Sequence, residues 1–217
     1  MDAKISQIRK DILIASNEAG ACHIGSALSC VGILVNLFYR EKLKPEHFIF
    51  SKASGVATYY AILADLGHFP KEKLAHYLKN YPLPSTEVPG VVHSFGSLGH
   101  GLSVACGMAF GDRDNKYCVL LSDGECQEGS TLEAVSFAGH HKLNNLHVIV
   151  DNNKYQALGK TDDIMKMDGI FEFMKRTLPD CVIADTVKGD GVDFMQDNSW
   201  HYRNLDKEHL EKALCQI

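Results

Sequence analysis

The apolar positions in the first half of the chain repeat with a helical period. Ile5, Ile8 and Ile12 follow one another at intervals of three and four residues, and Gly20 then provides a stop signal. This pattern predicts a helix over residues 2–19. Similar reasoning predicts further helices at about residues 27–39, 55–66, 70–79 and 98–110.

Two segments of this half carry a special composition. Residues 81–90 contain three prolines, which exclude a central strand because proline cannot donate to a sheet ladder. Residues 98–110 are rich in glycine, alanine and serine, which suits a helix packed closely against another backbone. Glycine lowers helix propensity, so we expect tertiary contacts to hold this helix in place.

The second half changes to continuous runs of β-favouring residues. Residues 117–121, 147–151 and 181–186 form such runs, and helical stretches separate them. This is the pattern of parallel strands that are buried on both faces. The sequence therefore predicts an open α/β fold with a mostly parallel sheet and helices on both faces. No repeat or linker divides the chain, so we expect one domain over residues 1–217.

Composition excludes several classes of protein. The 217 residues carry a net charge of −5 with no basic stripe of the kind that nucleic-acid binding needs. No apolar run approaches the roughly 18 residues of a spanning helix, and the N-terminus lacks a signal-peptide pattern, so we expect a cytoplasmic protein. The seven cysteines form no Cys-x-x-Cys pair, and we expect them to be reduced.

Polar side chains with oxygen ligands follow two of the predicted strands. Asp123 and Gly124 follow residues 117–121 after Ser122, and Asn153 follows residues 147–151 after Asn152. Doubly wound sheets bind ligands at the carboxyl ends of their strands. Magnesium prefers such oxygens and commonly joins one or two protein ligands to the phosphates of a cofactor. The pattern thus indicates a metal-bridged diphosphate site, although an isolated Asp-Gly pair has little specificity.

The same residues resemble the thiamine-diphosphate signature, in which an Asp-Gly is followed after about 30 residues by Asn-Asn. Three more segments, residues 16–25, 96–109 and 186–195, the last with Trp200 and His201 just beyond it, are similar to transketolase motifs and occur in the same order. The resemblance covers most of the chain. It implies the diphosphate-binding domain of the thiamin diphosphate-binding fold, with thiamine diphosphate and Mg²⁺ as cofactors.

The resemblance also implies roles for particular residues. The metal ligands would be Asp123, Asn153 and the backbone carbonyl of Tyr155. His23 would lie near the reactive carbon of the cofactor, His201 would lie near the diphosphate and the donor, and Glu128 would join a proton relay across a subunit interface. For Glu128, the alternative is simple stabilisation of a helix N-terminus. The cofactor-binding set would be Leu98, Gly99, Gly101, Asp123, Gly124, Glu125, Asn153 and Tyr155, with close packing as the alternative for Gly99 and Gly101.

The chain departs from the transketolase pattern at several positions. Ser54 stands where the family has a histidine, His100 stands where glutamine is typical, and Ser122 replaces the first glycine of the signature. The loop before Val88 lacks the usual Gly-His-Pro. These changes leave the cofactor ligands in place but indicate altered substrate recognition.

A further departure concerns length. Residues 165–186 leave room for one helix and one strand where the family has about two βα units. We therefore expect a smaller sheet, with an edge that is exposed or covered by a partner.

The resemblance places the pyrimidine-binding domain on another polypeptide or on a later part of a longer one. We expect the chain to be the diphosphate-binding subunit of a split enzyme, completed by a separately encoded pyrimidine-domain subunit, as in an α2β2 heterotetramer. The expected reaction is transfer of a two-carbon ketol unit from a ketose, free or phosphorylated, to an aldose.

Two alternatives remain open at this stage. One is another thiamine-diphosphate enzyme, either a 2-oxo-acid dehydrogenase α subunit or a deoxyxylulose-phosphate synthase. The other is a degenerate homologue that binds a partner without turnover.

Overall fold

The computed structural model describes all 217 residues. Its centre is a sheet of four parallel strands that lie side by side in the order in which they are named here. They are β1 (Phe48–Phe50), β2 (Tyr117–Ser122), β3 (Leu146–Asn152) and β6 (Cys181–Asp185). A separate antiparallel pair consists of β4 (Tyr155–Gln156) and β5 (Gly159–Lys160).

Ten α-helices surround the sheet. In chain order they are α1 (Asp2–Ala19), α2 (Ile24–Ser29), α3 (Val31–Val35), α4 (Val56–Asp65), α5 (Leu74–Asn80), α6 (Gly101–Gly111), α7 (Gly129–His140), α8 (Thr161–Ile164), α9 (Asp168–Thr177) and α10 (Lys207–Leu214). None of these helices is long and apolar enough to cross a membrane.

Two hydrophobic cores lie on opposite faces of the sheet. Side chains alternate along β2, so Leu120 packs into one core while Val119 and Leu121 pack into the other. The first core contains residues of α1 to α4, and the second contains residues of α6, α7 and α9. The predicted α/β fold with helices on both faces is confirmed.

The predicted helices are present, with two local differences. The helix expected at residues 27–39 is interrupted at Cys30 and ends in a π-helical turn, Asn36–Arg40. The helix expected from residue 98 begins at Gly101, because Gly99 has a φ of 84°, which a right-handed helix does not allow.

The first half of the chain contains a strand as well as the expected helices. Strand β1 has only three residues, too few for periodicity to reveal. It lies at one edge of the sheet, where His93 covers it: the Phe50 N–H donates to His93 Nε2 at 3.2 Å.

The other edge is more open. Helix α9 and strand β6 are the single helix and single strand that fit between residues 165 and 186, so the expected shortening is confirmed. Strand β6 has no neighbour on its outer side, and its Val182 is 44% exposed.

Candidate active site

A cavity of about 250 Å³ opens at the carboxyl ends of β2 and β3. Asp123 follows β2 directly and Asn153 follows β3 directly, and these strands are neighbours in the sheet. Both side chains line the cavity, together with Tyr155 and the turn residue Gly124. The expected convergence of an acid and an amide at adjacent strand ends is therefore present in the structure.

The Asp123 carboxylate is buried and accepts hydrogen bonds from three donors. Oδ1 accepts from the Gly124 N–H at 2.8 Å, and Oδ2 accepts from the Lys154 N–H at 2.6 Å and from Thr161 Oγ1 at 3.1 Å. The residue is 1% exposed and forms no ion pair with a basic side chain. Burial raises the pKa of Asp123, the shift expected for a carboxylate that lacks a compensating cation.

Asn153 is held by a buried polar network. Its Nδ2 donates to Ser29 Oγ at 3.2 Å, while its Oδ1 accepts from the Tyr155 N–H at 3.1 Å. Ser29 in turn donates to the Asp151 carboxylate at 2.7 Å and accepts from Lys52 Nζ at 2.8 Å. The network thus fixes which side of the amide carries the oxygen.

Lys52 and Asp151 form a fully buried ion pair at the base of this network. Burial alone would lower the pKa of Lys52, but the adjacent Asp151 outweighs it and the pKa is raised. Thr186 donates to the second carboxylate oxygen, so each member of the pair has further hydrogen-bond partners. Such a pair is costly to break, because removing one charge leaves the other buried and uncompensated.

The donor set fits a hard divalent cation. A carboxylate has about four lone-pair sites, and the three donors to Asp123 occupy three of them. The amide oxygen of Asn153 has two lone-pair sites, and the Tyr155 N–H occupies one. Each residue therefore keeps one site for a metal ion. Oxygen ligands of this kind suit Mg²⁺ that also takes phosphate oxygens. No group of three or more His, Cys, Asp or Glu side chains forms a metal cluster anywhere in the chain, so the candidate ligands here are one carboxylate together with amide and carbonyl oxygens.

Lys188 is a functional candidate that the sequence reasoning did not single out, although it lies in the segment 186–195. It is 1% exposed, its Nζ donates to Asn198 Oδ1 at 2.9 Å, and it lies 3.0 Å from His201 Nδ1. It forms no ion pair with a carboxylate. Burial, with a smaller effect of the Lys52 charge, lowers the pKa of Lys188 to about 8. The chain therefore buries a cation beside the cavity without a carboxylate in ion-pair contact with it.

The two predicted histidines meet at the cavity wall. Their ring centroids are 4.8 Å apart, and the backbone N–H of His23 donates to the backbone carbonyl of His201 at 3.1 Å. His23 has a φ of 63°, a sparsely populated conformation for a residue with a Cβ, and such strain commonly occurs at functional sites. Its Nδ1 is buried without a hydrogen-bond partner.

Both imidazoles are neutral at pH 7. Burial, followed by the Lys188 charge, lowers the pKa of His23 and lowers that of His201 to about 4. An ammonium can only donate, so His201 Nδ1 accepts from Lys188 and the His201 proton lies on Nε2. The histidines can therefore donate hydrogen bonds without adding positive charge.

Several predicted site residues do not line the cavity. Glu125 is fully buried, and its carboxylate accepts from Ser51 and from the Gly99 N–H, the latter at 2.9 Å. A Cβ at Gly101 would overlap with Ser51, and one at Gly99 would overlap with Ser130. These contacts support the packing alternative for the two glycines and assign Glu125 to the same packed region. Leu98, by contrast, lines the cavity.

Glu128 lies outside the cavity on the exposed surface. It is the N-cap residue of α7, but its side chain makes no capping hydrogen bond. Within this chain, the carboxylate has no partner that would define a proton relay.

A wider cleft of about 630 Å³ lies next to the site, between the β4–β5 pair, α9 and β6. Its lysines and aspartates are mostly exposed, and Lys154 pairs with Asp185 across 3.6 Å. The unpaired buried charges lie on the side of the smaller cavity, which is therefore the candidate active site.

Comparison with known proteins agrees with this geometry. The family model described as "Transketolase, thiamine diphosphate binding domain" matches residues 2–178. A relative from Actinobacillus succinogenes, named as one subunit of an apulose-4-phosphate transketolase, is 32% identical over 265 aligned positions, which include 100% of this chain and 95% of the relative. The protein of the same name from Phocaeicola vulgatus is 30% identical, with 96% of this chain and 90% of the relative covered.

The chain belongs to the transketolase family, and its relatives include chains that are themselves single subunits of divided transferases. A transketolase crystal structure from Pichia stipitis has the same fold, with a TM-score of 0.84 at 22% identity. That comparison covers 97% of this chain but only 40% of the Pichia chain.

Proposed function

We propose that this chain is the diphosphate- and magnesium-binding subunit of a thiamine-diphosphate-dependent transketolase-like enzyme, with residues 1–217 forming one cofactor-binding domain. The observation that carries the proposal is the pair of uncompensated buried charges, Asp123 and Lys188, beside one cavity. A magnesium ion would compensate the carboxylate, and a diphosphate would compensate the lysine. Thiamine diphosphate bound together with Mg²⁺ would provide both the cation and the anion.

Different residues would bind the metal and the diphosphate of the cofactor. Asp123, the Asn153 amide oxygen and the Tyr155 carbonyl would hold the metal, and Lys188 would donate to the diphosphate. The cofactor supplies the electron sink for carbon–carbon cleavage, which no side chain can provide. The protein would bind the cofactor, orient the cofactor and substrate, and exclude water from the site.

The histidines would act on the substrate. His23 and His201 are neutral and adjacent, so each can donate a hydrogen bond to a sugar oxygen, and each can exchange a proton with it. The reaction class would be transfer of a two-carbon ketol unit from a ketose, including ketose phosphates, to an aldose. Apulose 4-phosphate is the first donor to test, because the names of two relatives contain it.

We further propose a separate pyrimidine-domain partner subunit, for which an α2β2 assembly is the simplest arrangement. Helices α6 and α7 contact each other and carry the exposed side chains of Val104, Phe110 and Phe137, and Glu128 is the exposed N-cap residue of α7. A partner on this face would bury the apolar side chains and bring Glu128 into an interface. Such a position would allow the relay role that the free chain does not define.

A coupled assay tests the proposed function directly. The chain is mixed with its partner subunit, Mg²⁺ and thiamine diphosphate, and ketol transfer from a ketose phosphate to an aldose is measured alongside carbon dioxide release from pyruvate. Transfer without carbon dioxide supports the transketolase assignment. Carbon dioxide release would indicate the oxo-acid or deoxyxylulose-phosphate class, and cofactor binding without any turnover would indicate a degenerate homologue.

The His23→Ala variant separates binding from turnover. Because His23 lines the cavity but forms no hydrogen bond with Asp123, Asn153 or Tyr155, we expect cofactor affinity to stay within about threefold of the wild type. The value of kcat should fall by about 10²-fold or more, the usual contribution of a positioned proton donor. Titration calorimetry and the transfer assay measure the two quantities. A parallel loss of affinity would assign His23 to cofactor binding instead.

A further inference from the structure

A second chamber of about 150 Å³ adjoins the candidate active site. Two residues, His23 and Ser54, line both this chamber and the cavity that contains Asp123. The chamber lies between the C-terminus of α1, the N-terminus of α4 and the end of α5. It therefore extends the site on the side away from the metal ligands.

Ser54 is called the partition here because it lines both spaces. It lies in the 3-10 turn Ala53–Gly55 that precedes α4, and its Oγ is 3.0 Å from Ser26 Oγ. The side chain is half-buried and has only one heavy atom beyond Cβ. A larger side chain at this position would take up space beside both chambers.

The walls of the second chamber are small and mostly apolar. No acidic side chain lines it, and its one charged residue, Lys79, is exposed. The volume exceeds the roughly 30 Å³ that one water molecule occupies by several-fold, so a fragment of a few non-hydrogen atoms fits. The apolar lining consists of Ala19, Ala21, Val56, Ala57, Leu78 and Pro82.

We propose that this chamber receives a short uncharged branch, of about the size of a hydroxymethyl group, on the carbon chain of the donor ketose, and that Ser54 determines this specificity. The proposal rests on the proposed function, because it takes His23 to face the reacting carbon. A substituent one or two bonds from that carbon would then lie beside His23 and Ser54, the two residues that line both spaces. A straight-chain donor leaves the chamber empty.

The test compares two donors in the assembled enzyme with its partner subunit. Apulose 4-phosphate is a branched ketose phosphate, and xylulose 5-phosphate is a straight-chain one. Ser54→Leu enlarges the side chain at the partition, and Ala57→Val fills the chamber from a wall that does not line the first cavity. Both variants should lower the ratio of kcat/KM for the branched donor to that for the straight donor by about 10- to 200-fold, the range for a misfitted methylene-sized group.

Ser54→Ala is the matched control, since it removes the hydroxyl but keeps the space, and the donor ratio should stay within about threefold of the wild type. An equal loss for both donors in Ser54→Leu and Ala57→Val would overturn the proposal. Binding of thiamine diphosphate, measured by calorimetry, must persist in every variant. If the wild type bound the cofactor but accepted only the straight-chain donor, the proposed function would still hold. The proposal that the chamber receives a branch of the donor would be contradicted.

Access to the chamber can also be measured without turnover. Cys22 lines it, so alkylation of Cys22 by iodoacetamide, followed by peptide mass spectrometry, reports whether the space is filled. Apulose 4-phosphate should slow the alkylation of Cys22 in the wild type but not in Ser54→Leu, whereas xylulose 5-phosphate should not protect it in either. The absence of protection by the branched donor in the wild type would contradict the proposal.

Discussion

At the scale of single residues, the site is distinguished by charges that the chain does not pair. The buried Lys52 forms an ion pair with Asp151. Asp123 and Lys188 are similarly buried, line or adjoin the cavity, and form no ion pair. Burying an unpaired ion costs free energy unless a ligand of opposite charge compensates it. The two residues therefore indicate what a bound ligand must carry, a cation on one side and an anion on the other.

The Lys188→Met variant tests the anionic half of this site. The pKa of Lys188 in the free protein is about 8, so the ammonium loses its proton above that pH. The wild type should therefore bind thiamine diphosphate more weakly as the pH rises above 8. A bound diphosphate raises this pKa, so binding near pH 8 should take up protons. The variant should bind at least about tenfold more weakly at pH 7, since a charge-assisted hydrogen bond contributes roughly 1.5–3 kcal/mol.

Calorimetry in buffers of different ionisation enthalpy measures both the affinity and the proton uptake. Lys154→Met, which removes a largely exposed lysine near the same site, should change neither by more than about twofold. If Lys188→Met retained the pH dependence of the wild type, another group would be responsible for it.

The sequence could identify the residues that carry the site's chemistry because they stand beside recognisable turns and strand ends. Asp123, Asn153, His23 and His201 were all expected in one place, and the structure brings them to one cavity. Lys188 could not be singled out, because the sequence does not show whether a lysine is buried. Glu125 remains a predicted cofactor-binding residue, although it does not line the cavity and its buried carboxylate accepts from the Gly99 N–H.

At the scale of elements, the site depends on where strands end and how the sheet edges are closed. Strands β2 and β3 could be predicted from their long apolar runs, whereas the three residues of β1 gave no periodic signal. Pairing with β2 is what makes β1 a strand, and such long-range pairing cannot be read from a local pattern.

Covering the β1 edge with a histidine should make the fold acid-sensitive. Burial lowers the pKa of His93 to about 4, below its unfolded value of about 6.5, so the unfolded chain binds the proton first as pH falls. Stability contributed by neutral His93 is present above pH 6.5 and is lost between pH 6.5 and 4. By pH 5 the loss should reach about 2 kcal/mol.

His93→Gln keeps an acceptor for the Phe50 N–H but does not titrate. Its free energy of unfolding, measured by urea denaturation, should therefore fall less than that of the wild type between pH 7 and pH 5. His76→Gln, which changes an exposed histidine, should retain the wild-type slope. Identical slopes for His93→Gln and the wild type would show that the histidine does not close this edge as described.

At the scale of the whole molecule, the chain presents exposed aromatic side chains on helices α6 and α7. Phe110 of α6 and Phe137 of α7 are 46% and 40% exposed, and their ring centroids are 5.7 Å apart. The chain covers nearly all of the two apulose-4-phosphate transketolase relatives but about two-fifths of the Pichia transketolase chain. A second polypeptide on the α6 and α7 face accounts for both facts in the proposed assembly.

The Phe137→Asp variant tests that interface. A charge in the middle of a buried contact should prevent assembly with the pyrimidine-domain partner, while the exposed position should leave the free subunit folded. Light scattering after size-exclusion chromatography of the mixed subunits measures the assembly. Val182→Asp places the same charge on a similarly exposed valine of strand β6 and should not affect assembly. If only the Val182 variant failed to assemble, the partner interface would have to lie at the β6 edge of the sheet instead.

The most direct test of the account is calorimetric titration of thiamine diphosphate into the chain and its partner, with and without Mg²⁺, for the wild type, Asp123→Ala and Asp185→Ala. Asp185 ends the neighbouring strand β6 and is the matched control. We expect magnesium-dependent binding by the wild type and by Asp185→Ala, and none by Asp123→Ala. Equal affinity in the wild type and Asp123→Ala would contradict the metal assignment and the proposed function with it.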